Sequence, residues 1–214
     1  MLTLYGNLES GNVYKIRLLL AWLGRPHARI EVSQVRGEPM SAAFRAVNPI
    51  GKVPAVRLDD GRVLGESGAI LHLLAQGTPW WPTDPWDQAQ VLRWMFFEQY
   101  SHEPAIAVNR YLLRFAGALS PFDRERVALN AARGRHALQV MEDHLAGAAW
   151  LAGAGPTIAD IALYAYTHVA DEGGFDMAAY SSVRRWLGRV EALPGHVAIM
   201  EETSTVPVRR LVAE

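Results

Sequence analysis

A short segment rich in proline and tryptophan constrains the fold of this chain more than any other feature. Residues Gly77–Trp86, GTPWWPTDPW, contain three prolines and three tryptophans. Because proline fixes φ and removes a backbone donor, this segment is not expected to form a helix or a central strand. It predicts a linker over residues 78–86, which separates a first domain over residues 1–77 from a second domain over residues 87–214.

The first domain is predicted to alternate short strands and helices in the order βαβ-α-ββα. Apolar residues alternate along Leu2–Tyr5 and again at Ala28, Ile30 and Val32, which is typical of strands. Two such strands joined by a helix normally lie parallel. The other predicted elements are a helix from Val13 to Leu23, a short helix over Ser41–Val47, a hairpin of strands Ala55–Leu58 and Arg62–Leu64 around Asp59-Asp60-Gly61, and a helix over Ser67–Gln76.

The second domain is predicted to be entirely helical, so the chain as a whole belongs to the α+β class. Thr157 and Asp160 form a variant of the capping box ahead of a very apolar stretch. The tail Glu201–Glu214 contains Pro207 and has no clear pattern. Helices are expected from Val91 towards Phe115 with a bend near Pro104, and over Phe122–Leu145, Ile161–Val169 and Ser182–Leu193.

The composition excludes several classes of function. The formal net charge is −1, so nothing steers the chain towards nucleic acid or an anionic membrane. The start shows no signal-peptide pattern, which predicts a soluble, cytoplasmic protein. The sequence has no cysteine, and no His/Glu grouping has metal-site spacing. Any thiol chemistry on this protein therefore requires a ligand that brings the sulfur.

Pro54 stands where a strand should begin, in the stretch NPIGKVPAV. A cis Val53–Pro54 bond has a modest energetic cost. It would turn the main-chain groups of Val53 outward, where they could pair with an extended, peptide-like ligand. The alternative is an ordinary loop proline ahead of a strand.

Two helix starts carry the other candidate binding groups. Ser67 begins a helix, where its hydroxyl and the first N–H groups can hold a carboxylate, and Glu66 beside it can take an ammonium group. Ser10 and Asn12 lie at the start of the first helix, where a hydroxyl or an amide can donate to a thiolate and lower its pKa. The alternative reading of these residues is that they are ordinary helix caps.

The order of these segments resembles the cytosolic glutathione transferase family. The strand, the sequence Ser10-Gly11-Asn12, the stretch NPIGKVP, the pair Glu66-Ser67, the tryptophan-rich linker and the helical half follow one another as in that family. The similarity covers nearly the whole chain and includes the Thr157–Asp160 box. The Ser-Gly-Asn pattern looks closest to the serine/threonine-type bacterial members.

This resemblance implies a thioredoxin-like N-terminal domain, an all-α C-terminal domain and a homodimer. It also implies an enzyme of detoxification that binds glutathione as its co-substrate, stabilises the thiolate and adds it to a small, hydrophobic electrophile. No nucleic acid, membrane or metal is expected as a partner.

The resemblance also assigns roles to individual residues. Val53, before the expected cis Pro54, would pair its main chain with the cysteinyl part of glutathione. Glu66 and Ser67 would hold the amino and carboxylate groups of the γ-glutamyl part. Ser10 is expected to stabilise the thiolate, with Asn12 second and Tyr5, which lies before the loop, third.

Two points depart from the family pattern or stay open. Met40 stands near a position where some relatives have a basic residue, which leaves Lys52, or Gln34 and Arg36, to bind the glycine carboxylate. The electrophile is expected to bind between the domains, although helix packing is the alternative role for the residues proposed to line that pocket. Those residues are Trp94, Tyr100, His102, Arg110 and Tyr111.

The sequence leaves two alternatives to conjugation. A glutathione-dependent reduction of disulfides or peroxides, or a dehalogenation, would use the same loop. A non-catalytic binding or interaction protein would keep the fold, but it would not need the Glu66-Ser67 and Lys52-Val53-Pro54 elements. The identity of the electrophile cannot be predicted, because it depends on the shape of a pocket.

Overall fold

The computed structural model of the protein describes residues 1–211. The chain forms two compact units. The first contains Met1–Gln76 together with residues 194–211, and the second contains Gly77–Leu193. Within the described part of the chain, no helix combines the length and the apolar content needed to cross a bilayer.

The first unit is built on a five-stranded sheet in the order β4-β3-β1-β2-β5. β1 pairs parallel with β2 and antiparallel with β3, and β3 pairs antiparallel with β4. This confirms the predicted order βαβ-α-ββα. The elements are β1 (Leu2–Tyr5), α1 (Gly11–Trp22), β2 (His27–Glu31), a 3-10 turn (Glu38–Met40), α2 (Ala42–Arg45), β3 (Ala55–Arg57), β4 (Val63–Gly65) and α3 (Ser67–Ala75).

The core of this unit lies along α1, which packs on α3. Four of the five residues that predicted its apolar face are fully buried, and each contributes about 1.5–3 kcal/mol through burial, whereas the fifth, Leu23, is the half-buried C-cap of the helix. The four buried residues are Val13, Ile16, Leu19 and Leu20. Because the middle of α1 is fixed by this packing, its N-terminal turn is held in a defined position at the end of β1.

The second unit is helical, as predicted. α7 is its centre, since every one of its residues is buried. A π-helical segment, Glu98–His102, separates α4 from α5, so the single long helix expected towards Phe115 is divided. The helices are α4 (Pro85–Phe97), α5 (Glu103–Arg114), α6 (Pro121–Leu145), α7 (Ile158–Thr167) and α8 (Ser181–Glu191), with 3-10 turns at Ala170–Gly173 and Met177–Ala179.

The predicted capping box opens α7. The Thr157 hydroxyl accepts from the Ala159 N–H at 3.3 Å, and the Asp160 carboxylate accepts from the Thr157 N–H at 2.9 Å. Asp160 also accepts from the Leu151 N–H and from the indole N–H of Trp186. The box therefore ties α8 and the preceding loop to the start of the central helix.

The chain after Pro194 differs from the prediction, which placed it in the helical domain. Residues 194–211, here called the C-terminal strap, belong to the first unit. The strap ends in a short strand, β5 (Arg209–Arg210), which pairs parallel with β2. Residues 212–214 of the predicted tail lie outside the described part of the chain.

Buried cations explain why the strap packs on the first unit. The guanidinium of Arg17, whose side chain is fully buried, donates to the Ile199 carbonyl at 2.7 Å. Arg29 is also buried and pairs with Glu202 at 2.7 Å. Since unpaired charges are costly to bury, the strap supplies acceptors that α1 and β2 need.

Candidate active site

Two helix N-termini meet in the first unit, although their residues lie far apart in sequence. The Ser67 hydroxyl, at the start of α3, donates to Asn12 Oδ1 at 3.2 Å, near the start of α1. Ser67 is 5% exposed, and Asn12 is half-buried. Each helix end carries a partial positive charge and outward N–H groups, so the two ends together form an environment suited to an anion.

Ser10 is the N-cap of α1. Its hydroxyl oxygen accepts from the Val13 N–H at 3.4 Å, which is long for a hydrogen bond. The cap uses the hydroxyl as an acceptor and does not consume its hydrogen. Ser10 therefore combines the role of a helix cap with the ability to donate to a ligand atom, and the two interpretations of this residue do not exclude each other.

Asn12 occupies the second position of α1 and is engaged through its oxygen. Its Oδ1 accepts from Lys15 Nζ at 2.7 Å in addition to Ser67. Because an ammonium group can only donate, the amide oxygen must be the end that faces Lys15. Asn12 can therefore offer only its NH₂ group as a donor to a ligand.

Glu66 is the N-cap of α3 and has an unusual backbone. Its φ is +66°, and within residues 1–211 it is the one non-glycine residue with positive φ. No side chain caps this helix, so the first N–H groups of α3 are left for another acceptor. Strained backbone of this kind concentrates at ligand-binding sites. The exposed Glu66 carboxylate beside it adds a negative charge.

The Val53–Pro54 bond is cis, as the sequence analysis expected. Pro54 lies just before β3, and Val53 is outside the strand. Among the hydrogen bonds formed within residues 1–211, none involves the main chain of Val53. Its N–H and C=O are thus in the state that pairing with an extended ligand requires.

Asn48 holds the loop that carries Val53. Its side chain is buried, and its Nδ2 donates to the Lys52 carbonyl at 2.7 Å while its Oδ1 accepts from the Ile50 N–H at 3.3 Å. A Cβ at Gly65 would lie 3.0 Å from that Nδ2. Asn48 was missed in the sequence, because an asparagine before a proline looks like ordinary turn chemistry.

The side chains considered for the glycine end of the ligand differ in their surroundings. Lys52 is exposed, next to Val53. Arg36 is paired with Glu38 at 2.8 Å, which in turn accepts from the Ser33 N–H. The hydrogen bond that Arg36 donates to the Glu38 carboxylate raises the pKa of Arg36. Lys52 is the better-placed cation, since Arg36 already has a carboxylate partner.

Tyr5 lies at the end of β1 and is 5% exposed. Its ring is 6.4 Å from that of Phe44, and the guanidinium of Arg57 lies over it at 5.9 Å. These contacts give the ring a packing role in the sheet.

Family comparisons agree with this geometry. Residues 10–76 match the family model described as the glutathione S-transferase N-terminal domain, and residues 124–189 match the C-terminal domain of the same family. The chain belongs to the glutathione S-transferase family. The family resemblance found in the sequence is therefore confirmed for the family as a whole.

The similarity to named relatives and to solved structures covers most of this member of the glutathione S-transferase family. The crystal structure of a glutathione S-transferase from Pseudomonas fluorescens is 47% identical, covers 94% of this chain and 99% of its own, and superposes with a TM-score of 0.90. The glutathione S-transferase-like protein LUC7 of Fusarium is 33% identical over 86% of this chain and 85% of its own length.

Two further relatives bear on activity. The disulfide-bond oxidoreductase YfcG of Escherichia coli is 28% identical and covers 86% of this chain and 87% of its own length. A structure of Ure2p in complex with glutathione is 28% identical, covers 91% of this chain and 90% of its own, and has a TM-score of 0.78.

Three of the residues predicted to line an electrophile pocket lie in the interior of the helical unit. Trp94 is 3% exposed and packs edge-on against Phe97. The fully buried His102 hydrogen-bonds Thr167, and Arg110 pairs with Glu172 at 2.6 Å. Tyr100 and Tyr111 are exposed. Within residues 1–211, no group of three potential metal ligands is placed to hold an ion.

The sequence analysis also missed Lys15. A lysine at helical spacing is normally a solvated side chain, so nothing local in the sequence marked this one. A signal was present in the composition. The sequence has only two lysines among its 21 cationic residues, Lys15 and Lys52, and both lie in segments of the candidate site.

Proposed function

We propose that this protein is a glutathione transferase that adds the glutathione thiolate to a small electrophile. The observation that carries the proposal is the 3.2 Å contact between Ser67 and Asn12. It brings the residue assigned to the γ-glutamyl carboxylate next to a residue assigned to the thiol. One tripeptide could therefore reach both segments and the main chain of Val53.

In this proposal the tripeptide binds by its two ends and its middle. The Ser67 hydroxyl and the N-terminal N–H groups of α3 hold the γ-glutamyl carboxylate, and Glu66 holds the ammonium group beside it. The Val53 N–H and C=O pair with the cysteinyl residue as an added strand. Lys52, exposed next to Val53, binds the glycine carboxylate.

The thiolate is stabilised at the start of α1. The Ser10 hydroxyl and the Asn12 NH₂ group donate to the sulfur, and the positive end of the helix dipole adds to their effect. A free thiol has a pKa of ~8.5, and such surroundings lower it by about one to several units. A pKa of about 7 would make roughly half of the bound glutathione thiolate at neutral pH.

The reaction is a nucleophilic displacement or addition. The glutathione sulfur forms a bond to an electrophilic carbon, and in a displacement the bond from that carbon to its leaving group breaks, so that the leaving group departs with the electron pair. The protein supplies a prepared nucleophile and holds the two reactants together. No side chain needs to form a covalent bond, in agreement with a sequence that has no cysteine.

Titration calorimetry with glutathione, followed by turnover of an activated aryl halide, tests this proposal. We expect the wild type to bind glutathione and to catalyse the reaction faster than it proceeds without enzyme. The catalysed rate should fall by up to about 10²-fold in Ser10→Ala and in Asn12→Ala. Absence of heat on titration would contradict the proposal. Binding without turnover of several electrophiles would instead favour a non-catalytic protein.

Reduction of disulfides is a second candidate, favoured by the similarity to YfcG. Here one glutathione thiolate attacks a substrate disulfide and releases a thiolate, and a second glutathione resolves the mixed disulfide to give oxidised glutathione. Two glutathione molecules would supply both electrons. Turnover of 2-hydroxyethyl disulfide with formation of oxidised glutathione, faster than conjugation of aryl halides, would favour this reaction.

A homodimer is the assembly we propose. The helical unit exposes several large aromatic side chains, and apolar surface of this kind marks an interaction site where it is contiguous. Phe96 is 68% exposed, Tyr100 is 88% exposed and Phe122 is 70% exposed. Sedimentation velocity should give twice the mass of one chain, and a monomer at micromolar concentration would contradict this assembly.

A further inference from the structure

Lys15 is a buried cation beside the candidate site. Its side chain is 1% exposed, and its Nζ donates to Asn12 Oδ1 at 2.7 Å. Burying an ammonium group is costly unless it is hydrogen-bonded. Arginine serves every cationic position of the sequence except Lys15 and Lys52. At Lys15 the chain thus uses the more compact point charge, which lies within hydrogen-bond distance of the Asn12 amide oxygen.

The contact fixes which way the Asn12 amide points. An asparagine amide has an acceptor end and a donor end, which differ little in shape. The ammonium of Lys15 and the hydroxyl of Ser67 both donate to the same oxygen. A flipped amide would place its NH₂ group against the Lys15 ammonium, where both groups are donors. The flipped state is therefore excluded as long as Lys15 is charged.

Ser67 cannot hold the Asn12 amide and a carboxylate at the same time. A serine hydroxyl has one hydrogen, and in the structure it donates that hydrogen to Asn12 Oδ1. A ligand carboxylate at the start of α3 would compete for it. Once the hydrogen turns to the carboxylate, the bond from Lys15 still orients the amide.

We propose that Lys15 is a positioning residue, which keeps the NH₂ group of Asn12 presented to the sulfur of bound glutathione when the γ-glutamyl carboxylate takes the Ser67 hydrogen. This inference rests on the proposed function. Lys15 does not touch the ligand in this scheme. It acts through Asn12, and its positive charge is needed for its hydrogen bonds rather than for a direct attraction to the thiolate.

The test is a double-mutant cycle of Lys15→Met and Asn12→Ala, with the pKa of bound glutathione as the readout. Methionine has nearly the length of lysine and suits a buried position. The pKa is measured from the ultraviolet absorbance of the thiolate and from the pH profile of kcat/KM. We expect Lys15→Met to raise the thiol pKa of bound glutathione by about one unit. At pH values below the wild-type thiol pKa, kcat/KM should then be about tenfold lower than in the wild type.

Measuring Lys15→Met in the Asn12→Ala background shows whether Lys15 acts by orienting the Asn12 amide or by attracting the thiolate directly. If Lys15 acts through the amide, Lys15→Met has no further effect on the thiol pKa once Asn12 is alanine. An equal rise in both backgrounds would show that the charge acts directly on the sulfur and would overturn the inference. An unchanged pKa in Lys15→Met alone would also overturn it.

A second measurement does not depend on how the Lys15 variant folds. Because the sequence has two lysines, isotope-labelled lysine gives two side-chain NMR signals, and Lys52→Arg identifies them. The chemical shift of the Lys15 signal should differ between Asn12→Ala and the wild type. In the wild type it should also change when glutathione binds. A Lys15 signal that is the same in Asn12→Ala and in the wild type would contradict the contact.

These outcomes can be separated from a failure of the proposed function. Calorimetry and the thiol pKa of the wild type are measured first. If the wild type binds no glutathione, or binds it with an ordinary thiol pKa, the proposed function fails. If the wild type lowers the pKa and the Lys15→Met variant does so equally, only the role of Lys15 fails.

Discussion

Trp186 donates its indole N–H to the carboxylate of Asp160 at 2.9 Å inside the helical unit. The same carboxylate accepts from the backbone N–H groups of Leu151 and Thr157. All of these atoms are shielded from water, because Asp160 is 1% exposed and Trp186 is fully buried. One carboxylate therefore satisfies three N–H donors that come from different parts of the unit.

We expect Asp160→Ala to be among the most destabilising substitutions in the helical unit. It would leave three buried N–H groups without an acceptor, at about 1–3 kcal/mol each before relaxation. A loss of about 3–5 kcal/mol in the free energy of unfolding is the expected result. Urea unfolding followed by tryptophan fluorescence measures it.

A second capping box in the same unit provides the matched control. Ser120 and Asp123 form the same motif at the start of α6, on the surface. Asp123→Ala should cost about 1 kcal/mol, since water can replace the lost acceptor. Equal losses in the two variants would mean that the capping motif itself, and not the buried network, determines the effect.

The carboxylate of Glu142 provides a pH-dependent link between α6 and α8. It accepts from the Ser182 N–H at 2.9 Å and from the Val183 N–H at 3.0 Å. Burial acts to raise the pKa of Glu142, but these hydrogen bonds outweigh it and hold the pKa below the usual 4.5. The folded protein therefore favours the ionised form, and the stabilisation from this effect is present above pH 4.5 and is lost as the pH falls through the lower pKa of the folded state.

Glu142→Gln should therefore reduce stability at neutral pH by more than it does in acid. The measurement compares urea midpoints of the wild type and the variant at neutral pH and at acidic pH. Asp143→Asn is the control, because Asp143, next to Glu142 on α6, accepts from Gln139 in an exposed bond. If the difference in urea midpoint between the wild type and Glu142→Gln is as large at acidic pH as at neutral pH, the charge of Glu142 does not have this role.

Local signals in the sequence were sufficient for the order of elements and for much of the candidate site. The helical spacing from Val13 to Leu20 and the box Thr157–Asp160 depend on neighbours three or four residues apart. The proline of the cis bond and the Ser67 helix start are local as well. These features could be predicted because the residues that determine them are close together in the chain.

Long-range contacts could not be predicted in the same way. Nothing in Arg209–Arg210 favours a strand, and the pairing with β2 depends on a strap that reaches back across the chain. The contact between Ser67 and Asn12 joins residues far apart in sequence and depends on the packing of α1 against α3. The Asn48 contact to Lys52 spans only four residues, but the close approach of the Asn48 side chain to Gly65 depends on how the loop folds.

Two glycines inside helices should respond to the same substitution with opposite signs. A Cβ at Gly134, in α6, would lie 2.3 Å from the Phe175 ring, whereas a Cβ at Gly188, in α8, would have no atom within 4 Å. Gly134→Ala should destabilise by about 1–3 kcal/mol through overpacking. Gly188→Ala should stabilise by about 0.5–1 kcal/mol, since alanine is the better helix former.

Thermal unfolding of the two alanine variants against the wild type measures this pair. A shift to lower temperature for Gly134→Ala and to higher temperature for Gly188→Ala is the expected pattern. If both variants gain stability, the contact between α6 and Phe175 is looser than the structure has it.

The last prediction concerns the loop before Pro54, and it depends on the proposed binding of glutathione. Asn48→Ala removes the donor that holds the Lys52 carbonyl at 2.7 Å. The main chain of Val53 would then be less ordered before the ligand arrives, and binding would have to order it. We expect affinity for glutathione to fall about five- to tenfold, which corresponds to about 1–1.4 kcal/mol.

Asn48→Asp distinguishes the loss of the hydrogen-bond donor from the loss of side-chain volume, because aspartate has nearly the same shape as asparagine. Aspartate keeps an acceptor for the Ile50 N–H but cannot donate to the Lys52 carbonyl. It should therefore weaken binding at least as much as alanine, while Gln139→Ala, which removes an exposed amide from α6, leaves it unchanged. Calorimetric titration measures all three, and full affinity in Asn48→Asp would mean that shape, not the hydrogen bond, holds the loop.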